Sequence, residues 1–196
     1  MPRLVFLLAA LLVAATPAHA HPGIGNTLGL AQGFAHPLGG IDHVLAMVAV
    51  GLFAAQLGGR ALWAVPLAFV AMMAVGGAAG MAGVSLPFAE LGIALSVLVL
   101  GATVAARVHL PTLAAMALAG LFALFHGHAH GAGMPETASG LAYGLGFVLA
   151  TTSLHAAGIG LGLAIGQAGE AFGSRVLRAA GSAMAVTGVA ILAGLV

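Results

Sequence analysis

"LAAMALAGLFALFHGHAHG", residues 113–131, is an apolar run without a charge that closes on three histidines, His126, His128 and His130. As a helix rising about 1.5 Å per residue it would nearly cross a hydrocarbon core of about 30 Å. The rest of the chain has the same character, at 62% hydrophobic and 5% charged residues. A soluble domain carries about 25% charged residues. So few charges cannot cover a surface facing water, and the composition predicts an all-α integral membrane protein. Strands of a membrane barrel would alternate polar and apolar residues, and these runs do not. There are no cysteines, which removes disulfides, thiolate metal cages and thiol catalysis. The net charge of +1 singles out no partner. Almost all available chemistry sits in four acids and nine histidines.

Charges and Gly/Pro clusters divide the chain into six apolar blocks: 24–57 (interrupted at His36-Pro37-Leu38-Gly39-Gly40), 61–83, 86–106, 110–130, 137–166 and 176–196. Backbone groups in lipid must be satisfied within their own segment, so each block is expected to be a helix. Ahead of them, Arg3, the apolar stretch Leu4–Ala15 and Ala18-His19-Ala20 form a secretory signal with a small-x-small cleavage site. That apolar stretch is shorter than the roughly 20 residues a spanning helix needs; an uncleaved anchor is the other reading. Cleavage after Ala20 makes His21 the first residue, outside the cytoplasm. Arg60, Arg107 and the pair Arg175 and Arg178 then fall between blocks on the inner side, as the positive-inside rule requires. The outer turns 83–86 and 131–137 carry no Lys or Arg. The fold class is therefore a bundle of six transmembrane helices after a cleavable signal peptide (1–20), the first helix broken near Pro37–Gly40.

Glycines recur through the blocks, for instance Gly76, Gly77 and Gly80, and Gly158, Gly162 and Gly166. In lipid they let helices approach closely, and packing accounts for nearly all of them. "GLAQG" (29–33) echoes "GLAYG" (140–144), as glycine-rich apolar chains do by chance.

An ionisable group at membrane depth is costly, about 2.5–3.5 kcal/mol for a central Asp, and marks a functional site by default. In "HPLGGIDH" (36–43), His36 and His43 are two helical turns apart and share a face, and Asp42 lies at its edge. Pro37 removes a backbone donor and Gly39-Gly40 loosen the helix. Broken helices of this kind build ion sites in transporters. A plain proline kink would not need the carboxylate. In "FHGHAHG" (125–131), His126 and His130 share a face, whereas His128 points elsewhere unless Gly127 and Gly131 unwind the segment. Neutral imidazole suits Zn, Cu, Fe and Ni, while Mg and Ca prefer oxygen; the alternative is a solvated histidine cluster at the membrane interface. The topology puts both motifs at similar depth on the outer side. Glu90, near the outer end of the third block, is either a further ligand or a glutamate among headgroups. His155, mid-block behind Thr151, Thr152 and Ser153, is either a second station on a path inward or an interhelical hydrogen-bond partner. His21, once freed, has an α-amine and an imidazole, a weak capture site. His109 reads as loop.

No His-Glu-x-x-His, no serine beside a convincing base and no phosphate-binding loop is present, and nothing suggests nucleic acid. The residues alone reach a divalent transition-metal site on the outer side of a helical bundle.

At these two motifs the chain resembles the HupE/UreJ family of bacterial nickel/cobalt permeases. The family's first-helix motif, His, five residues, Asp-His, stands here as His36, Asp42 and His43. Its fourth-helix motif, Phe-His-Gly-x-Ala-His-Gly-x-Glu, stands as Phe125 to Ala132, with Gly133 at the position of the Glu and Glu136 three residues on. That departure bears on affinity or metal preference. The resemblance covers essentially the whole chain. It implies a metal-permease domain over 21–196 in the bacterial inner membrane, with the mature N-terminus outside. It implies uptake of Ni²⁺ or Co²⁺ (Zn²⁺ as an alternative) with no permanently bound cofactor, serving hydrogenase, urease or cobalamin synthesis. Metal would be caught by His126, His128 and His130, with His21 and Glu90 assisting, passed to His36, Asp42 and His43, and released past His155. The rival classes are a membrane partner that binds or senses metal without moving it, and a zinc-dependent membrane enzyme.

Overall fold

A computed structural model describes residues 26–134 and 139–195. Among the described residues the chain is helical and has no strand: α1 (Asn26–Ala35), a 3-10 turn (His36–Leu38), α2 (Ile41–Leu57), α3 (Ala61–Met81), α4 (Ala89–Ala105), α5 (Thr112–Ala132), α6 (Gly140–Gln167) and α7 (Glu170–Leu192). The signal segment, His21 and Glu136 lie outside the described residues.

Four helices, α3, α5, α6 and α7, are long and apolar enough to cross a membrane. The first block is a pair of helices bent by 82° at the turn. Counting that pair as one span brings the number to five. The third block, α4, has 17 helical residues, short of the roughly 20 a full crossing takes. The chain is thus a multi-pass membrane protein by length and composition of its helices. Trp63, Leu67, Val75, Leu113, Leu121, Leu145 and Val186 are exposed on its outside, where a lipid environment suits them and water would not.

The bend has a local cause. Pro37 lies in the first turn of the 3-10 segment, the Gly39 N–H donates to the His36 carbonyl at 3.1 Å, and Gly40 is extended (φ −105°, ψ 121°). The α2 helix restarts at Ile41, with Asp42 in its first turn, where a carboxylate complements the positive end of the helix dipole. A β-carbon on Gly40 would stand 2.6 Å from Asp42 Oδ1, so glycine is what lets that carboxylate fold back over the chain.

α2 is the centre of the bundle. Its Met47, Val50 and Phe53 are fully buried and join Phe69 of α3, Val97 and Leu100 of α4 and Ala119 of α5 in one core. Around it α3 packs on α5, α4 on α7, and both α1 and α2 on α6. The α3–α5 contact is a backbone seam: side chains on Gly127 and Gly131 would run into the carbonyls of Met73 and Gly77. These two glycines do not unwind the segment; α5 stays helical to Ala132. The echoing stretches 29–33 and 140–144 pack against each other, Gly33 lying on the Tyr143 backbone.

Arg175 and Arg178 are not in a connecting loop, as the block boundaries suggested. The connection is Ala168–Gly169, with Gly169 at φ +98°, and α7 begins at Glu170. Both arginines are exposed on the first turns of that helix, where long side chains reach toward the headgroups.

Candidate metal site

The break and the end of α5 bring the two histidine motifs together. His126 and His130, one turn apart on α5, face His43 in the first turn of α2. His126 Nδ1 lies 2.8 Å from His43 Nδ1, and His130 Nε2 lies 2.9 Å from the same atom. His36, on the 3-10 turn, stands edge-on to His130 with ring centroids 4.8 Å apart. The two motifs therefore make one cluster of four imidazoles rather than two separate sites.

Burial grades through that cluster. His36 is exposed and His130 half-buried, while His43 and His126 are 2% and 0% exposed. Burying imidazoles in an apolar bundle is tolerable only when their nitrogens find partners, and here they partner one another. Aromatic rings wall the group: Phe147 of α6 lies 4.4 Å from His130 and 5.3 Å from His43, and Tyr143 lies 6.0 Å from His36, centroid to centroid. A cavity of about 510 Å³ borders His130, Tyr143, Phe147, Met73 and Met81.

The remaining predicted residues are placed differently. Asp42 is half-buried, and its Oδ1 accepts the His43 backbone N–H at 2.7 Å. Its charge is thus one residue from the cluster, turned to the backbone. His128 points away, as its two-residue offset requires, and its Nε2 contacts the Val84 carbonyl at 2.6 Å. Glu90 is exposed in the first turn of α4, six residues before Ser96, or roughly 9 Å of helix rise. His109 is loop, its Nδ1 2.9 Å from the Arg107 carbonyl.

His155 sits deeper and alone. It is 1% exposed, and neither ring nitrogen has a hydrogen-bond partner among the described residues. Phe69 packs edge-on to it at 5.1 Å and reaches His126 at 6.0 Å, so one aromatic ring touches both the cluster and the deeper histidine. Thr151, one turn away on α6, donates to the Met73 sulfur at 3.5 Å.

Sequence reading missed Ser96, Phe69 and Phe147. Ser96 is fully buried on α4, its Oγ 2.7 Å from His126 Nε2. One serine or phenylalanine in an apolar helix carries no periodic or motif signal. Among the described residues no three His, Asp or Glu side chains are already set about a common point as metal ligands. The rings meet through hydrogen bonds instead. Chemically, the arrangement offers up to four imidazole nitrogen donors at the break, with a carboxylate beside them.

A family model described as "HupE / UreJ protein" matches residues 9–191. The chain belongs to the HupE/UreJ family. It is 48% identical over 178 residues to a curated relative, "Protein HupE" of Rhizobium leguminosarum bv. viciae, covering 90% of this chain and 91% of that one. No solved structure matches. HupE/UreJ membership bears out the resemblance read from the two motifs, and with it a general role in metal transport. The four clustered imidazoles include every histidine of the two motifs except His128.

Proposed function

We propose that this HupE/UreJ protein carries Ni²⁺, or Co²⁺, inward across the bacterial inner membrane, as a permease without a resident cofactor and without catalytic chemistry. The observation that carries the reading is the meeting of His36, His43, His126 and His130 at the break. Imidazole nitrogen suits late first-row divalent ions. Two nitrogens on one ion, each about 2.0–2.1 Å from it, stand roughly 3.0 Å apart at a right angle and roughly 3.4 Å at the tetrahedral angle. The nitrogen separations of 2.8 and 2.9 Å need to open by only a few tenths of an ångström to admit a cation.

The ion enters past exposed His36 and half-buried His130, is held by His43 and His126, and passes Phe69 to His155. Asp42 offsets part of its charge from the start of α2. Glu90 and the N-terminal His21 assist capture at the mouth, and His128 braces the 82–88 loop through Val84. An inside-negative potential drives entry by about 2.3 kcal/mol per charge per 100 mV, so roughly twice that for a divalent ion. The reading counts the bent pair and α4 each as a crossing, which makes six spans over 21–196, with residues 1–20 removed as a signal and the new N-terminus outside. Hydrogenase, urease or cobalamin maturation is the destination of the metal.

The test is ⁶³Ni²⁺ uptake by cells lacking their own nickel importers, with and without the protein, and with Co²⁺ and Zn²⁺ as competitors. Uptake that needs His43 supports the permease, and the best competitor ranks the ions. No uptake by a protein well inserted in the membrane sinks the reading.

A further inference from the structure

The Ser96 hydroxyl has one proton and two close neighbours. Oγ lies 2.6 Å from the carbonyl of Ile93, one turn back on α4, and 2.7 Å from His126 Nε2. Ser96 and His126 are both 0% exposed, so water does not take over either contact. If the hydroxyl gave its proton to His126, two lone pairs, on Oγ and on the Ile93 oxygen, would face each other at hydrogen-bond distance. The stable pattern is the other one. The Ser96 O–H donates to Ile93, and Oγ accepts a proton from His126 Nε2. A neutral imidazole with its proton on Nε2 has a lone pair on Nδ1, and Nδ1 is the atom that faces His43 at 2.8 Å.

We propose that Ser96 is a positioning residue of the metal path. Its hydroxyl holds His126 in the Nε2–H tautomer and so keeps the Nδ1 lone pair aimed at His43 Nδ1, the atom that His130 Nε2 also meets. The inference rests on the permease reading for its consequence, though not for the contact itself. His43 Nδ1 has both His126 Nδ1 and His130 Nε2 within 2.9 Å. It can present one proton to them, and with His126 fixed as an acceptor that proton must come from His43. A cation arriving there displaces one shared proton. His43 can keep that proton on Nε2, which is buried and has no other partner among the described residues. Without the serine, His126 is free to move its proton to Nδ1, which puts a hydrogen where the ion should bind. Groups that orient a metal-binding imidazole from behind are worth about 10–100-fold in affinity or activity.

Two measurements test this. The first is ¹⁵N NMR of histidine-labelled, metal-free full-length protein in detergent micelles, with His126 assigned by His126→Gln. The wild type is expected to show the Nε2–H form at His126, and Ser96→Ala a mixture or the reverse. A wild-type His126 protonated on Nδ1 overturns the proposal, and this arm needs no variant of Ser96 to fold. The second is concentration-dependent ⁶³Ni²⁺ uptake normalised to protein in the membrane. Ser96→Ala should lose about 10–100-fold in uptake efficiency, while Ser96→Thr, whose hydroxyl can also reach a carbonyl a turn back, should recover most of it. Wild-type uptake by Ser96→Ala, or Ser96→Thr inserting well but transporting no better than Ser96→Ala, overturns the role. Uptake untouched in His126→Ala would instead sink the permease path, and the NMR arm would still decide the contact.

Discussion

Two kinds of buried histidine sit in this bundle about two helical turns apart along α2. In the cluster at the break, His126 spends both nitrogens, on Ser96 and on His43, and His43 Nδ1 meets both His126 and His130. Deeper in, His155 is as buried, yet neither of its nitrogens has a partner among the described residues. Its backbone carbonyl lies at Gly51, eight residues past His43, or roughly 12 Å of helix rise. On the proposed permease reading, the cluster holds the ion because it is a network. His155 stands as a single polar group against Phe69, which on the same reading suits brief contact with an ion rather than retention, since conduction needs sites that release as well as bind.

The largest effect expected from breaking this contrast is at His43. Its Nδ1 is the atom both α5 histidines meet, so His43→Ala should reduce ⁶³Ni²⁺ uptake to background; wild-type uptake would mean the cluster is not on the path. Asp42→Asn comes next. Asparagine keeps the oxygen that accepts the His43 N–H but removes the charge, so the protein should insert normally while uptake collapses. A variant that transports normally would show that the carboxylate serves only the helix start. His155→Leu should split stability from function. It removes a buried group with no partner, which costs about 1–3 kcal/mol, so resistance to detergent unfolding should rise while uptake falls several-fold. Lower stability would mean that His155 has a partner in the folded protein and resembles the cluster after all.

Smaller again is Gly127→Ala. The new methyl would press on the Met73 carbonyl in the α3–α5 seam, and overpacking of this kind costs about 1–3 kcal/mol. Unfolding in micelles should shift accordingly, with residual uptake reporting how much slack His126 and His130 tolerate. Glu90→Gln should do least. The residue is exposed, and surface changes stay within about 0.5 kcal/mol, so only capture at low nickel should weaken; loss of maximal uptake would place Glu90 inside the path.

Much of this was legible beforehand. The apolar blocks announced helices because lipid leaves the backbone no other partner. "HPLGGIDH" announced a break through Pro37 and two glycines, and the chain turns by 82° there. Helical spacing alone separated His126 and His130 from His128. Other features were not legible. The third block was read as 86–106, but the helix within it, α4, covers Ala89–Ala105, because the chain between Met81 and Ala89 forms a turn. The 29–33 and 140–144 echo looked like chance, yet the two stretches lie against each other. Small residues mark a close contact without naming its partner.

Composition and local pattern determined by themselves that this chain is helical, that it belongs in a bilayer, and which side chains are costly enough there to need a reason. Those are properties of a segment and its solvent, so they can be read along one dimension. Only the tertiary structure decided that residues 83 and 87 positions apart, His43 with His126 and His43 with His130, share a single nitrogen contact. It alone set Ser96 behind His126 and left His155 without a partner among the described residues. Such pairings depend on the register of one helix against another, which backbone contact at residues like Gly77 and Gly127 sets, and no period within a single helix encodes it.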